Sequence, residues 1–144
     1  MNLTGRWKGK YIYGDGYPRA VIGKAAPFEI DITDNDGIIT GVCLDEVVES
    51  IDGNESTIEG TFNENFLTFI KRYKVQLAMD DLGNHIPLVD QSNNSIQYVG
   101  HMRKRLLSKK HYFEGEWQIT SDFKDDSSKV YTYSVEGTWT MSKE

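Results

Sequence analysis

Apolar and polar residues alternate along most of this chain, in eight stretches at about 3–13, 27–33, 38–45, 56–62, 66–75, 96–102, 112–120 and 130–141. A period of two marks a strand with one buried and one wet face. In "PFEIDITDNDGIITGVCL" Phe28, Ile30 and Ile32 alternate with Glu29, Asp31 and Thr33, and Asp34-Asn35-Asp36-Gly37 supplies turn chemistry before the next apolar run. "STIEGTFNENFLTFIKRY" repeats the hairpin design around Asn63-Glu64-Asn65, and "YFEGEWQITSDFKDDSSKVYTYSVEGTWTM" does so around a charged Asp/Ser/Lys connection. No long amphipathic helix interrupts the series, so the pattern predicts an all-β sandwich or barrel. Two longer connections remain, at about 76–95 and 103–111; the second, "RKRLLSKKH", is expected to form a short helical turn.

A repeated glycine decides between sandwich and barrel. "LTGRW", "ITGVC", "IEGTF", "YVGHM", "FEGEW" and "VEGTW" each place glycine two residues from an apolar or cysteine neighbour on either side. Side chains two apart share a face, so Leu3, Gly5 and Trp7 point one way, as do Phe113, Gly115 and Trp117, and Val135, Gly137 and Trp139. The intervening residues are mostly polar, which makes the glycine face the inner one. Glycine within a strand is destabilising, so six on one face need a geometric reason. Closing a sheet into a small barrel supplies it, because strands must bend sharply where the walls crowd. The expected fold is an antiparallel up-and-down β-barrel of about eight strands in a single domain, 1–144.

The same counting gives the interior. Trp7, Tyr11, Tyr13, Phe28, Phe69, Tyr73, Tyr98, Trp117, Tyr133 and Trp139 fall on inward positions. Tyrosine and tryptophan join an apolar body to a polar tip, which suits either a packed core or a pocket with a few orienting hydrogen bonds. Lys71 shares the inward face of "FLTFIKRYKV" with Leu67, Phe69 and Tyr73. Two readings stand for it: a cation that meets a ligand carboxylate or phosphate, or a strand-end lysine that snorkels back to water.

Gly5-Arg6-Trp7 opening a first strand, followed by an all-β meander, resembles the calycin group of lipocalins, fatty-acid-binding proteins and avidins. The motif order is most similar to avidin-like barrels. "GRW" opens the chain, "FEIDI" precedes "GIITG", "IEGTF" precedes "FLTFIKRY", and "IQYVG" precedes "FEGEWQI". The resemblance spans nearly the whole chain in short motifs, and implies an interior ligand and assembly through the outer wall. The biotin-site residues are not matched. Gly9, Tyr11 and Tyr13 stand where avidins place small polar residues, no aspartate lies near Gly137, and "VEGTWTMSKE" lacks the arginine usual in lipocalins.

Composition narrows the function. A net charge of −6 over 144 residues argues against a general nucleic-acid binder. No apolar run approaches the roughly 18 residues of a membrane span. A single cysteine, Cys43, and no visible secretory signal fit a reducing compartment, so a cytoplasmic location is expected. His85, His101 and His111 have no metal spacing, "DNDG" lacks the flanking residues of a calcium loop, and Glu59, Glu114 and Glu136 read as a solvated outer face. Neither cofactor nor metal is expected, and no acid–base pair for catalysis is legible. The expected function is binding of a small apolar or amphipathic ligand inside the barrel. The alternative is a protein–protein interaction module with a side-chain-filled barrel. Ile38, Val42 and Leu44 point outward from one strand and form a candidate homodimer patch.

Overall fold

A computed structural model describes residues 1–45, 55–73, 77–79, 82–83, 85–87, 95–124 and 127–144. Its strands are β1 (Gly5–Tyr13), β2 (Ala25–Asn35), β3 (Ile38–Asp45), β4 (Ser56–Asn63), β5 (Phe66–Tyr73), β6 (Leu77–Met79), β7 (His85–Pro87), β8 (Ser95–Lys104), β9 (His111–Lys124) and β10 (Val130–Lys143). Eight of them close into a barrel in the order β1-β10-β9-β8-β5-β4-β3-β2, every pair antiparallel. Each strand pairs with the next along the chain, except that the step from β5 to β8 carries the small β6–β7 ribbon. The alternation and the inner-face glycines together therefore predicted the barrel. Among the described residues there is no helix.

The differences lie at the ends of elements. β5 stops at Tyr73, and 74–76 lie outside the described residues, as does most of the connection up to Ser95. β9 and β10 continue past the rim, paired as far as Lys124 and Val130. The 103–111 segment forms a single turn rather than a longer helix. It is a hairpin loop in which the Lys109 N–H donates to the Arg105 carbonyl at 3.0 Å and the Arg105 N–H donates to the Lys110 carbonyl at 2.9 Å. One such turn, with Lys109 at φ +55°, ends the helical tendency at its first bond.

The inner face is the glycine face. Gly137 pairs with Trp117, whose indole lies over it, and the Trp139 indole lies over Gly100 of β8. The indole nitrogens donate into the backbone at these positions, Trp117 to the Thr138 carbonyl at 3.1 Å and Trp139 to the Val99 and Glu116 carbonyls, both at 3.1 Å. Trp7 donates likewise to the Leu3 carbonyl at 2.8 Å. All three tryptophans thus spend their polar tips on the barrel itself.

One end of the barrel, here the lower, is shut by the chain's own start. Leu3 is fully buried beneath Trp7. Asp34, on the inward register of β2, accepts from the Leu3 N–H at 2.8 Å with one carboxylate oxygen and from the Gly37 N–H at 2.8 Å with the other. That carboxylate ties residues 2–4 to the β2–β3 turn. Outside, Ile38, Val42 and Leu44 are 58%, 39% and 45% exposed, as their outward positions predict.

Candidate functional site

The polar residues of the interior gather toward the opposite, upper end. Lys71 on β5 and Asp45 on β3 are both inward and buried, with side chains 2% and 0% exposed. The Lys71 Nζ donates to Asp45 Oδ2 at 2.9 Å, and the Tyr73 hydroxyl donates to the same oxygen. Lys71 therefore does not snorkel to solvent. β5 lies four strands from β1 in either direction around the barrel, yet the ammonium sits 5.0 Å from the Tyr11 ring centroid on β1. It also lies 4.9 Å from the Tyr73 ring and 5.4 Å from the Tyr98 ring. The lysine thus spans the interior and ends among three tyrosines, a favourable setting for a desolvated cation.

Below and beside this pair the aromatic rings form a continuous cluster. Phe69 stacks on Tyr98 at 4.7 Å, Tyr98 on Trp117 at 6.4 Å, and Trp7 meets Phe113 at 5.4 Å. Phe28 stacks on Tyr11 at 6.2 Å, and Trp139 lies 5.8 Å from both Phe69 and Tyr98. Above the pair, Tyr13 contacts Tyr17 edge-on at 4.8 Å, and Tyr17 reaches Trp117 at 5.7 Å, so the 14–24 loop leans over this end. A Cβ on Gly83 would come 2.5 Å from Val21 of that loop, which brings the turn after β6 to the same place.

The structure brings Tyr11, Tyr73 and Tyr98 together around Lys71, with Tyr13 and Trp117 alongside. Trp7, Phe28, Phe69 and Trp139 belong to the packing beneath. Tyr133 lies on β10, and its side chain is outside the described residues. Sequence reading missed Asp45 and Tyr17. Asp45 follows Ile39, Gly41 and Cys43 on the same inward register, so the signal was there, but a charged residue ending a strand reads as solvated. A separate groove of about 610 Å³ at the lower end is lined by Asn2, Asp34, Asp36, Phe62 and Asn65 among others. It is shallow and polar and does not meet the buried pair.

Electrostatics hold the cluster in one protonation state. Burial opposes the charge of Lys71, yet Tyr73, Tyr98 and Asp45 together keep its pKa well above the ordinary lysine value. Burial pushes Tyr98 up to about 12 and Cys43 up to about 11, each partly offset by Lys71, and raises Tyr11 and Tyr73 well above the usual phenol. Each of these folded values exceeds the unfolded one. The stability they contribute is therefore present below the unfolded pKa and lost as pH rises through the folded value. Stability is expected to hold to about pH 9 and then fall as pH rises toward 12, by about 1.4 kcal/mol per pH unit for each group whose ionisation the fold suppresses. A jump to high pH should show fast tyrosinate absorbance from exposed rings and a slow phase that coincides with unfolding. Complete ionisation in the fast phase would mean that water reaches Tyr11, Tyr73 and Tyr98.

No known protein family and no curated protein sequence matches the chain. The architecture is an eight-stranded closed antiparallel barrel compatible with a calycin-like fold, with an aromatic cluster buried inside.

Proposed function

We propose that this barrel, calycin-like in architecture and kinship, binds a small, partly apolar ligand at its upper end, against Tyr11, Tyr13, Tyr73 and Tyr98 over the Lys71–Asp45 pair. One observation carries the reading: an ion pair with both side chains essentially unexposed stands in an aromatic interior. Apolar residues of similar volume would often be as stabilising there, or more so, so folding does not account for the pair. A few placed polar groups within an apolar, aromatic surround are the usual make-up of a small-molecule site. A cytoplasmic setting belongs to the same proposal, since the lone cysteine needs no oxidising compartment.

Trp117, in ring contact with Tyr11, Tyr13, Tyr17 and Tyr98, is the natural reporter. A panel of amphipathic lipids, vitamins and aromatic compounds should include members that shift tryptophan emission saturably at one-to-one stoichiometry. Trp117→Phe should remove most of that signal, and Tyr73→Ala should weaken binding about tenfold, the value of roughly one hydrogen bond. A panel without saturable binding by fluorescence or native mass spectrometry would sink the reading.

The second reading, a protein–protein module, is favoured by the exposed stripe of Ile38, Val42 and Leu44. A two-fold homodimer would bury the same stripe from each copy. Sedimentation should then give a dimer that Val42→Glu reduces to monomer; a wild-type monomer at tens of micromolar would remove it.

A further inference from the structure

Resting on the ligand-binding reading, we infer that the ligand is electrically neutral and presents a hydroxyl or carbonyl oxygen to Lys71, with Asp45 as the residue that sets this preference. Inward cations in barrels invite the expectation of an anionic ligand, and the sequence alone raises it for Lys71. The geometry removes it. Asp45 Oδ2 lies 2.9 Å from the Lys71 Nζ, in the place a ligand carboxylate would take. An incoming anion would meet that carboxylate at close range in a poorly screened interior, where like charges repel strongly.

A cationic ligand fares no better. The faces of Tyr11, Tyr73 and Tyr98 already surround one ammonium, at 5.0, 4.9 and 5.4 Å from its nitrogen. A second cation would have to share those faces with the first. The pair together is neutral, and what it offers is a dipole.

The donor inventory sets the polar group. A lysine ammonium has three N–H donors and no acceptor. Asp45 accepts one. Among the described residues a further one meets only the rings of Tyr11, Tyr73 and Tyr98. An uncharged oxygen satisfies it without bringing a charge to Asp45. The rest of the ligand meets Tyr13, Tyr17 and Trp117, which suits an apolar skeleton.

The test uses two matched pairs of probes, 2-naphthol with 2-naphthoate and 1-dodecanol with dodecanoate, measured near neutral pH by calorimetry and native mass spectrometry. Wild type should bind the neutral member of a pair at least tenfold more tightly than the anion. Asp45→Asn, which uncovers the Lys71 charge, should reverse the order. The double variant Lys71→Met/Asp45→Leu, which has neither charge, should bind the neutral member at least threefold more weakly and gain nothing for the anion. Tighter binding of the anion by wild type would overturn this inference and leave the ligand-binding reading standing. So would a double variant with unchanged affinity, a result that remains readable if Asp45→Asn does not fold. Failure of all four probes and of the wider panel would overturn both.

Discussion

Lys71→Met is expected to destabilise the barrel by about 3–5 kcal/mol, because it leaves the Asp45 carboxylate buried without its counter-ion. Asp45→Leu should be as damaging, since it strands the ammonium instead. The two losses should not add. In Lys71→Met/Asp45→Leu neither charge remains, both replacements are apolar, and the neighbouring rings of Tyr11 and Tyr98 pack against hydrocarbon. Stability should return to within about 1–2 kcal/mol of wild type or exceed it, as buried ion pairs replaced whole often do. The Tyr73 hydroxyl also loses its acceptor, because the Asp45 carboxylate is gone. Urea unfolding of the four proteins closes the cycle, with the strand dichroism of each confirming the barrel. Single variants within about 1 kcal/mol of wild type would mean that water reaches the pair and lowers its desolvation cost. The functional reading of the pair would then lose its ground.

The barrel was legible because two periodicities agree. Alternation located each strand, and glycine on the inner face of six of them separated a barrel from a flat sandwich. Lys71 was legible by the same count, since parity alone turns it inward. Its partner was not, although Asp45 has inward parity too. Pairing across 26 residues depends on how β3, β4 and β5 register, and Ser56↔Cys43 and Ser56↔Tyr73 are the contacts that bring the two ends level. Asp34 shows the converse. It was read as turn chemistry, and it does cap Gly37, but its second oxygen anchors Leu3 across 31 residues. Tyr17 was out of reach because nothing periodic in the 14–24 loop says that it folds back over Trp117. The indole bonds were equally hidden, for a tryptophan's donor finds its carbonyl through register and not through spacing.

Gly115→Ala should be the most damaging methyl that can be added to the inner wall. A Cβ built there lies 1.8 Å from the Val99 carbonyl oxygen and 2.6 Å from the Gly100 Cα, all main-chain atoms of β8 that no rotamer change can move. The strands must part, and they part where the Val99 and Glu116 carbonyls receive the Trp139 indole N–H. The expected loss is about 3 kcal/mol or more, at or above the top of the range for overpacked cores. Gly23→Ala supplies the control. Among the described residues, its chain neighbours aside, no atom lies within 4 Å of its Cβ, and its φ of +83° leaves left-handed strain, about 1–2 kcal/mol. Adding Trp139→Phe to Gly115→Ala separates clash from crowding. Because the obstacle is backbone, the smaller ring should restore nothing and should add its own loss from the missing donor. Recovery in that double variant would show that the glycine makes room for the indole; wild-type stability of Gly115→Ala alone would show that β8 and β9 have slack. Neither fits a wall in which glycine is present so that two bent strands can touch.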